Sequence, residues 1–444
     1  MSAAIVTERA GLTALRAAWL FDGTGSTMIS DPVVVIDGAT IVAVNSGVSA
    51  PASSTVIDLA GATLMPGLID THVHLAFDAS TDPVGRLAGR QEAEIVAAMM
   101  RAGQAALRGG VTTVRDLGDP HYLSLGLRGA PGMPAIVAAG PPITTPGGHC
   151  HFLGGAAVPT VPGVRAAVRE HVEHGVDVIK IMASGGQLTP GTHQHLTQFP
   201  PEVLRAAVEE AHRHGLHVTA HAHAVGAIAD ALAAGVDGIE HVSFWTEDGI
   251  AAPGELISLI ADRRTVVGAT IGMVPVAGLA PPPEVARRVP AMVANTRRLH
   301  EAGALVVAGT DAGIGPVKPH DVVRHAPSML RQLGFSQAAA LRAVTSVAAG
   351  VCGLGHRKGR IAPGFDADIL AVDGDPVADP EALHRIRAVY ARGAAVPDAG
   401  AAVPDAGAAA PDGRAMNRRR PGAPGLPSTG GGSAVPSPGA GPWR

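Results

Sequence analysis

Ala62-Thr-Leu-Met-Pro-Gly-Leu-Ile-Asp-Thr-His-Val-His-Leu75 is the stretch that decides the reading of this chain. It is apolar for most of its length and ends on two histidines, His72 and His74, two positions apart. Side chains two apart on a strand point to the same face. Two imidazoles on one face, at the end of an apolar strand, form half of a metal site. The other half has to come from further along the chain. It is supplied in order by Lys180, His221, His241 and Asp311.

Outward from this stretch the texture of the sequence changes twice. Residues 1–62 alternate short β-like runs, such as Val33–Ile36 and Thr40–Val44, with glycine turns at Gly38 and Gly47. Residues 63–355 alternate strand and helix, the pattern of a parallel sheet with helical crossovers. Eight strands are predicted there: Leu64–Leu75, Val111–Leu117, Ala135–Ala139, Val178–Ala183, His217–His223, Gly238–Phe244, Val266–Ile271 and Leu305–Gly309. Eight such units predict a closed (β/α)8 barrel.

A quasi-repeat supports the barrel. A helical stretch ends in Gly, and a strand follows with a polar residue near its C-terminal end. Gly110 leads to Asp116, Gly175 to Lys180, Gly215 to His221, Gly235 to His241 and Gly303 to Asp311. Gly suits a left-handed helix cap, and the C-terminal end of the strands carries the active site in this barrel class. For Asp116 a site role and a core hydrogen-bonding role are both open. Helices are predicted over Glu202–His214, with His212 and His214 at the surface, and over Ser336–Leu354, with Ser336 as N-cap. Residues 356–395 return to β-like runs, so one small β-domain is expected from the two ends. Residues 396–444 are Ala/Gly/Pro/Ser-rich and read as a disordered tail, with Arg418–Arg420 as a solvated run.

Composition narrows the function classes. The chain has 444 residues, 46% of them apolar, and a formal net charge of -4. That suffices for a sizeable core and gives no footprint for nucleic acid. No uninterrupted apolar run is long enough for a membrane span, and no secretory leader is read at the N-terminus. Two cysteines, Cys150 and Cys352, rule out a disulfide framework and fit a reducing compartment, so a cytoplasmic location is expected. The chain has only three lysines, Lys180, Lys318 and Lys358, and uses Arg elsewhere. A lysine kept inside an apolar strand therefore asks for a chemical reason.

Taken together, the motifs resemble the amidohydrolase superfamily, in its imidazolonepropionase-like and Xaa-Pro dipeptidase-like branch. The carrying segments are Pro66–His74, Val178–Gly186, Thr219–His223, Gly238–His241, Ala308–Gly313 and the closing segment Gly359–Leu370. The resemblance runs over roughly residues 15–395, and the ordered set is far more specific than any one motif. It implies a (β/α)8 barrel with a small β-sandwich domain built from both terminal segments. It also implies two divalent metals, zinc first among manganese, iron and cobalt. His72, His74 and Asp311 would hold one metal and His221 and His241 the other. Lys180, carboxylated by carbon dioxide, would bridge them.

The physics of the residue types agrees with this assignment. An ammonium cannot bind a cation, whereas a lysine carbamate is anionic and has two oxygens. Burial lowers a lysine's pKa and exposes its amine to carbon dioxide; arginine cannot do this. The competing reading is a plain salt-bridge lysine. A bridging hydroxide would be the nucleophile, since metal binding lowers the pKa of water towards about 7. Asp311 would take its proton and pass it to the leaving nitrogen.

Other histidines are candidates for substrate. His223 shares the face of His221, and either serves as ligand on spacing alone; the family pattern favours His221 and leaves His223 to substrate. The resemblance implies a carbonyl-polarising His in the Gly147–His151 loop; His149 is the choice, with His151 the alternative and a structural loop role open for both, and Cys150 is not read as a ligand. His195 is a further substrate candidate. The expected reaction is hydrolysis of an amide-type C–N bond in a small molecule, an Xaa-Pro dipeptide or N-acyl amino acid. A mononuclear cyclic-amide hydrolase or deaminase is the alternative, and a non-catalytic binding scaffold the alternative class. Ala224 and Val225 stand where some dipeptidase relatives carry a substrate-holding Tyr, which leaves the substrate open. A homo-oligomer is the expected assembly.

Overall fold

The computed structural model describes residues 11–400. The arginine run 418–420 and positions 401–444 of the expected tail lie outside the described residues. Residues 396–400 form a turn whose Gly400 N–H donates to the carbonyl of Arg108 at 2.9 Å.

The two ends of the chain share one sheet. Its spatial order is Ala394–Ala395, Ile386–Ala391, Ile369–Asp373, Ser54–Pro66, Leu12–Leu20, Pro32–Asp37 and Thr40–Ser46, with Ile29–Ser30 beside Leu12–Leu20. Strand Ser54–Pro66 joins the halves, pairing in parallel with Leu12–Leu20 and antiparallel with Ile369–Asp373. Leu15, Ile36, Ile41, Leu64, Ile369 and Tyr390 fill its core. This is the small β-sandwich domain; the rest is the (β/α)8 barrel.

The barrel strands in order are Leu68–Val73, Val111–Asp116, Ala135–Ala138, Val178–Met182, His217–Ala224, Gly238–Trp245, Val266–Thr270 and Val306–Gly309. Strands one to three form one parallel arc and strands four to eight the other. The arcs are joined by two parallel bridges, Val73 with Ala312 and Ile143 with Ile181. Closure matters for the site, because it brings the ends of strands one, four, five, six and eight around one axis.

Two expectations are corrected. Leu64–Leu75 is not one strand: Ser54–Pro66 belongs to the β-sandwich, and the first barrel strand starts at Leu68. The break falls at Gly67, where a Cβ would collide with the Thr112 side chain. Ser336–Leu354 is not one helix either. It divides into Gln337–Arg342 and Ser346–Val351, because Thr345 leaves helical geometry at φ -136°, ψ -100°. Ser336 does cap the first, its hydroxyl accepting the Ala339 N–H at 3.2 Å.

The helix after strand four, Pro201–Arg213, explains how the outer layer holds. Val203, Leu204, Ala207, Val208 and Ala211 share its inner stripe and are buried. Removing Leu204 to alanine would cost about 2–5 kcal/mol at such a site. His212 and His214 are exposed, His212 Nε2 lying 2.9 Å from Asp237. Gly175 and Gly235 end their helices with φ of 77° and 83°, the left-handed cap that glycine adopts without strain. Among the described residues no helix is long and apolar enough to cross a membrane.

Candidate metal centre

Strand one delivers His72 and His74 to the barrel mouth, both buried. Strand eight delivers Asp311 beside them, its N–H donating to the His72 carbonyl at 2.7 Å. Asp311 Oδ1 lies 3.4 Å from His72 Nε2 and 3.2 Å from His74 Nε2. The three residues each place a ligand atom within 4.8 Å of the others. The strands can approach this closely because position 309 is glycine: a Cβ there would sit 2.5 Å from the Cβ of His72. Burial would raise the Asp311 pKa, but His72 and His74 outweigh it and hold the carboxylate well below its usual range. Burial and nearby Lys180 pull His72 down to about 4, against Asp311 and Glu240. A neutral imidazole facing an ionised carboxylate is a prepared metal-binding pair.

Strands five and six deliver a second cluster. His221, His223 and His241 bring ligand nitrogens within 4.8 Å of one another. The outer nitrogen of each ring has a partner. His223 Nδ1 lies 2.7 Å from Ser243 Oγ, His241 Nδ1 lies 3.1 Å from Thr270 Oγ1, and His221 Nε2 lies 3.2 Å from the Gly185 carbonyl. These contacts leave Nε2 of His223, Nε2 of His241 and Nδ1 of His221 for a metal. Burial and the neighbouring imidazoles lower the pKa values of His221 and His241 well below the ordinary range. The cluster therefore stays neutral and nucleophilic at neutral pH.

Lys180 lies on strand four and is 1% exposed. Its Nζ has no hydrogen-bond partner among the described residues. A buried ammonium without a partner is costly. Burial pulls its pKa down to about 8, against the opposing pull of Glu240 and Asp311. Its charge acts on His72 in one cluster and on His221 and His241 in the other. Lys180 lines the same cavity as both clusters.

His149 is buried, its Nδ1 is unpartnered, and its ring lies 4.8 Å from that of His221. Burial pulls its pKa down to about 4. Gly186 makes room for it, since a Cβ there would strike His149 Nε2. His151 is exposed, its Nδ1 lies 2.9 Å from the Gly148 carbonyl, and it does not line the cavity. His195 is not a lining residue of the cavity either; Gln187, Leu188 and Gln194 of its loop are. Cys150 lines the cavity, but burial pushes its thiol up to about 12 and it joins neither cluster. Asp116 takes the core role: it accepts the N–H groups of Leu75 and Gly118, and the Gly118 carbonyl holds His74 Nδ1 at 3.0 Å.

Two site residues escaped the sequence reading, Glu240 and Arg115. Glu240 Oε2 lies 3.0 Å from His72 Nδ1, and Glu240 Oε1 accepts from Arg115 at 2.9 Å and Thr219 at 2.7 Å. Burial opposes ionisation of Glu240, but Arg115 and His72 outweigh it and keep the carboxylate charged. The one available signal was an acid beside His241 and a base beside Asp116, both in apolar strands.

The clusters line a cavity of about 250 Å³ whose apolar wall includes Leu188, Trp245, Val285, Met292 and Ile314. Arg288 stacks on Trp245 with its guanidinium carbon 4.4 Å from the ring centre. A wider hollow of about 490 Å³, lined by Glu247, Asp248, Glu284, Arg287 and Arg288, contains none of these histidines. The chemistry lies in the smaller one.

Comparison with known proteins agrees with this geometry. The model of the amidohydrolase family matches residues 63–396. The ochratoxinase of Aspergillus niger is 27% identical over 419 residues, covering 86% of this chain and 85% of that one. The imidazolonepropionase of Deinococcus deserti is 27% identical, over 78% of this chain and 86% of its own. A solved structure described as a Xaa-Pro dipeptidase with bound methionine in the active site superposes with a TM-score of 0.76 at 27% identity. It covers 86% of this chain and 99% of that one.

Proposed function

The chain belongs to the amidohydrolase family and is a metal-dependent hydrolase acting on carbon–nitrogen bonds, and from that premise we propose a two-metal centre bridged by a carbamate on Lys180. The observation that carries this reading is the buried Nζ of Lys180, without a hydrogen-bond partner among the described residues, in the cavity that both histidine clusters line. His72, His74 and Asp311 would hold one divalent ion and His221 and His241 the other, zinc suiting this nitrogen and oxygen set. When bound, the metals supply an acidified water and polarise the scissile carbonyl.

The chain's own groups do the rest. Asp311, ionised and in contact with both strand-one histidines, is placed to take the water's proton and pass it to the leaving nitrogen. His149, neutral and facing His221, can donate to the carbonyl oxygen as charge develops there. His223, fixed by Ser243 and stacked on His241 with ring centres 4.4 Å apart, borders the same space and orients substrate. Leu188, Trp245 and Met292 shield the reacting bond from bulk water.

For substrate we propose an Xaa-Pro dipeptide or an N-acyl amino acid with an apolar group against that wall. The likeness to the Xaa-Pro dipeptidase structure supports it, as does a cavity of small-molecule size. Elemental analysis of protein purified with bicarbonate, for wild type and Lys180→Ala, tests the centre. Two metals per chain that fall sharply in the variant are expected, followed by turnover in a dipeptide and N-acyl amino acid screen. One metal in both proteins would remove the bridge and turn the search to cyclic amides and deamination.

A further inference from the structure

Beneath the two histidine clusters, four barrel strands converge on one carboxylate. Glu240 comes from strand six and is 1% exposed. Its Oε2 lies 3.0 Å from Nδ1 of His72 on strand one. Its Oε1 accepts from Arg115 Nη2 of strand two at 2.9 Å and from Thr219 Oγ1 of strand five at 2.7 Å. Arg115 Nε in turn donates to the Thr71 carbonyl at 2.6 Å, on the residue before His72. The neighbouring strand seven gives way at this spot: a Cβ on Gly268 would collide with Glu240 Oε2. Arg115, Thr219 and His72 are all buried.

We propose that Glu240 is a positioning residue for the metal held by His72, His74 and Asp311. Two donors, Arg115 and Thr219, occupy Oε1 of Glu240, and its Oε2 faces His72 Nδ1 as an acceptor. It therefore fixes the His72 proton on Nδ1 and turns Nε2, unprotonated, toward Asp311 and the metal. Arg115 and Thr219 fix the carboxylate in turn, so the orientation of His72 is set by a chain of three contacts from other strands. Outer partners of this kind typically govern metal affinity by about 10- to 100-fold. Among the described residues no carboxylate hydrogen-bonds the rings of the second cluster, which are held by Ser243, Thr270 and the Gly185 carbonyl. The effect is thus selective for one of two metals. This inference rests on the metal-centre reading proposed above.

The test is a stepwise zinc competition titration against a chromophoric chelator, on full-length wild type, Glu240→Gln and Thr219→Ala, with melting curves of the metal-free proteins. Glu240→Gln should weaken one zinc step by about 10- to 100-fold and leave the other unchanged. Glu240→Gln leaves the Arg115 cation beside a neutral partner, which can prevent folding. Thr219→Ala keeps every charge and removes one bond to Glu240, so it carries the test in that event. It should weaken the same step by a smaller factor. Two unchanged affinities in the folded variants would overturn the proposal. So would a fall in both steps that follows a lowered melting temperature, which is what a merely structural role produces. A wild type that takes up no zinc would overturn the metal-centre reading as well, and so tells the two failures apart.

Discussion

At the scale of single residues, the argument turns on a lysine in a chain that otherwise uses arginine. A salt-bridge role would be served by Arg at position 180, since both cations reach a carboxylate. A carbamate role would not, because a guanidinium stays protonated and does not add carbon dioxide. Lys180→Arg should therefore lose metal as completely as Lys180→Ala. Its activity should fall by more than the about 10- to 100-fold that loss of an outer partner costs; elemental analysis and turnover of the two variants check this. A pH dependence follows. Burial lowers the Lys180 pKa to about 8, so the amine is protonated below that pH and free above it. Reconstitution of metal-free protein with zinc and bicarbonate should therefore speed up roughly 20-fold from about pH 6.5 to about pH 8.5, following the tenfold change in protonation ratio per unit below the pKa. A rate flat across that range would refute it. Lys180, His72 and His74 were legible in the sequence because strand alternation and residue habit single them out. Glu240 was not, because alternation fails there. It points into the barrel beside His241, whose backbone turns to φ 74°, so neighbouring residues share one side.

At the scale of elements, the ligand-bearing strands end in unusual backbone. His241, Val242 and Phe244 within strand six, and Asp311 just after strand eight, have positive φ without being glycine. Such conformations cost of order 1–3 kcal/mol each and persist where the surroundings over-determine them. The period-two pattern that located the eight strands cannot register these turns. It also could not register Gly67, where a run of apolar residues passes from one sheet to another without a change in hydropathy. The Ser336–Leu354 helix was misread for the same reason, since the break at Thr345 interrupts geometry and not the apolar pattern. The loops are where elements act on each other. Gly186, after strand four, presses on His149, after strand three, and a Cβ there meets only the end of an imidazole. Gly186→Ala should rotate that ring out of place with little cost to the fold. Turnover should fall toward that of His149→Ala, about 100-fold for loss of a polarising donor, while metal content stays at the wild-type level. Loss of metal in either variant would instead place His149 among the ligands.

At the scale of the whole molecule, the barrel concentrates neutral imidazoles in its interior, and this sets its response to acid. Burial holds His72 and His149 near a pKa of about 4 and His223 near about 3, and lowers His221 and His241 well below the ordinary range. In the unfolded chain each takes a proton near the ordinary value of about 6.5. Between that pH and the folded values the unfolded state binds more protons, so these five groups destabilise the metal-free fold as pH falls. Asp70, Asp116, Asp119 and Asp230, raised by burial, and His74, raised by Asp311 against its own burial, act in the opposite direction. Asp70 and Asp119 are pushed up to about 7 by burial, so the fold binds their protons first and gains as pH drops below that. Lys180 is protonated in both states throughout this window and contributes no slope. With His320, His325 and His384 also lowered by burial, the histidines that lose outnumber the groups that gain, which leaves a net loss on acidification. The melting temperature of metal-free protein should therefore fall from about pH 7 to about pH 5, through the window in which only unfolded histidine is protonated. Bound metal should deepen the trend, because its ligands must be deprotonated and acid removes it. Zinc should raise the melting temperature strongly near neutral pH and hardly at all near about pH 5, where protons compete for the same nitrogens. Paired thermal melts with zinc and with chelator at both pH values measure all four states. A zinc effect independent of pH would mean that the stabilising ion sits on carboxylates and not on this histidine-lined centre.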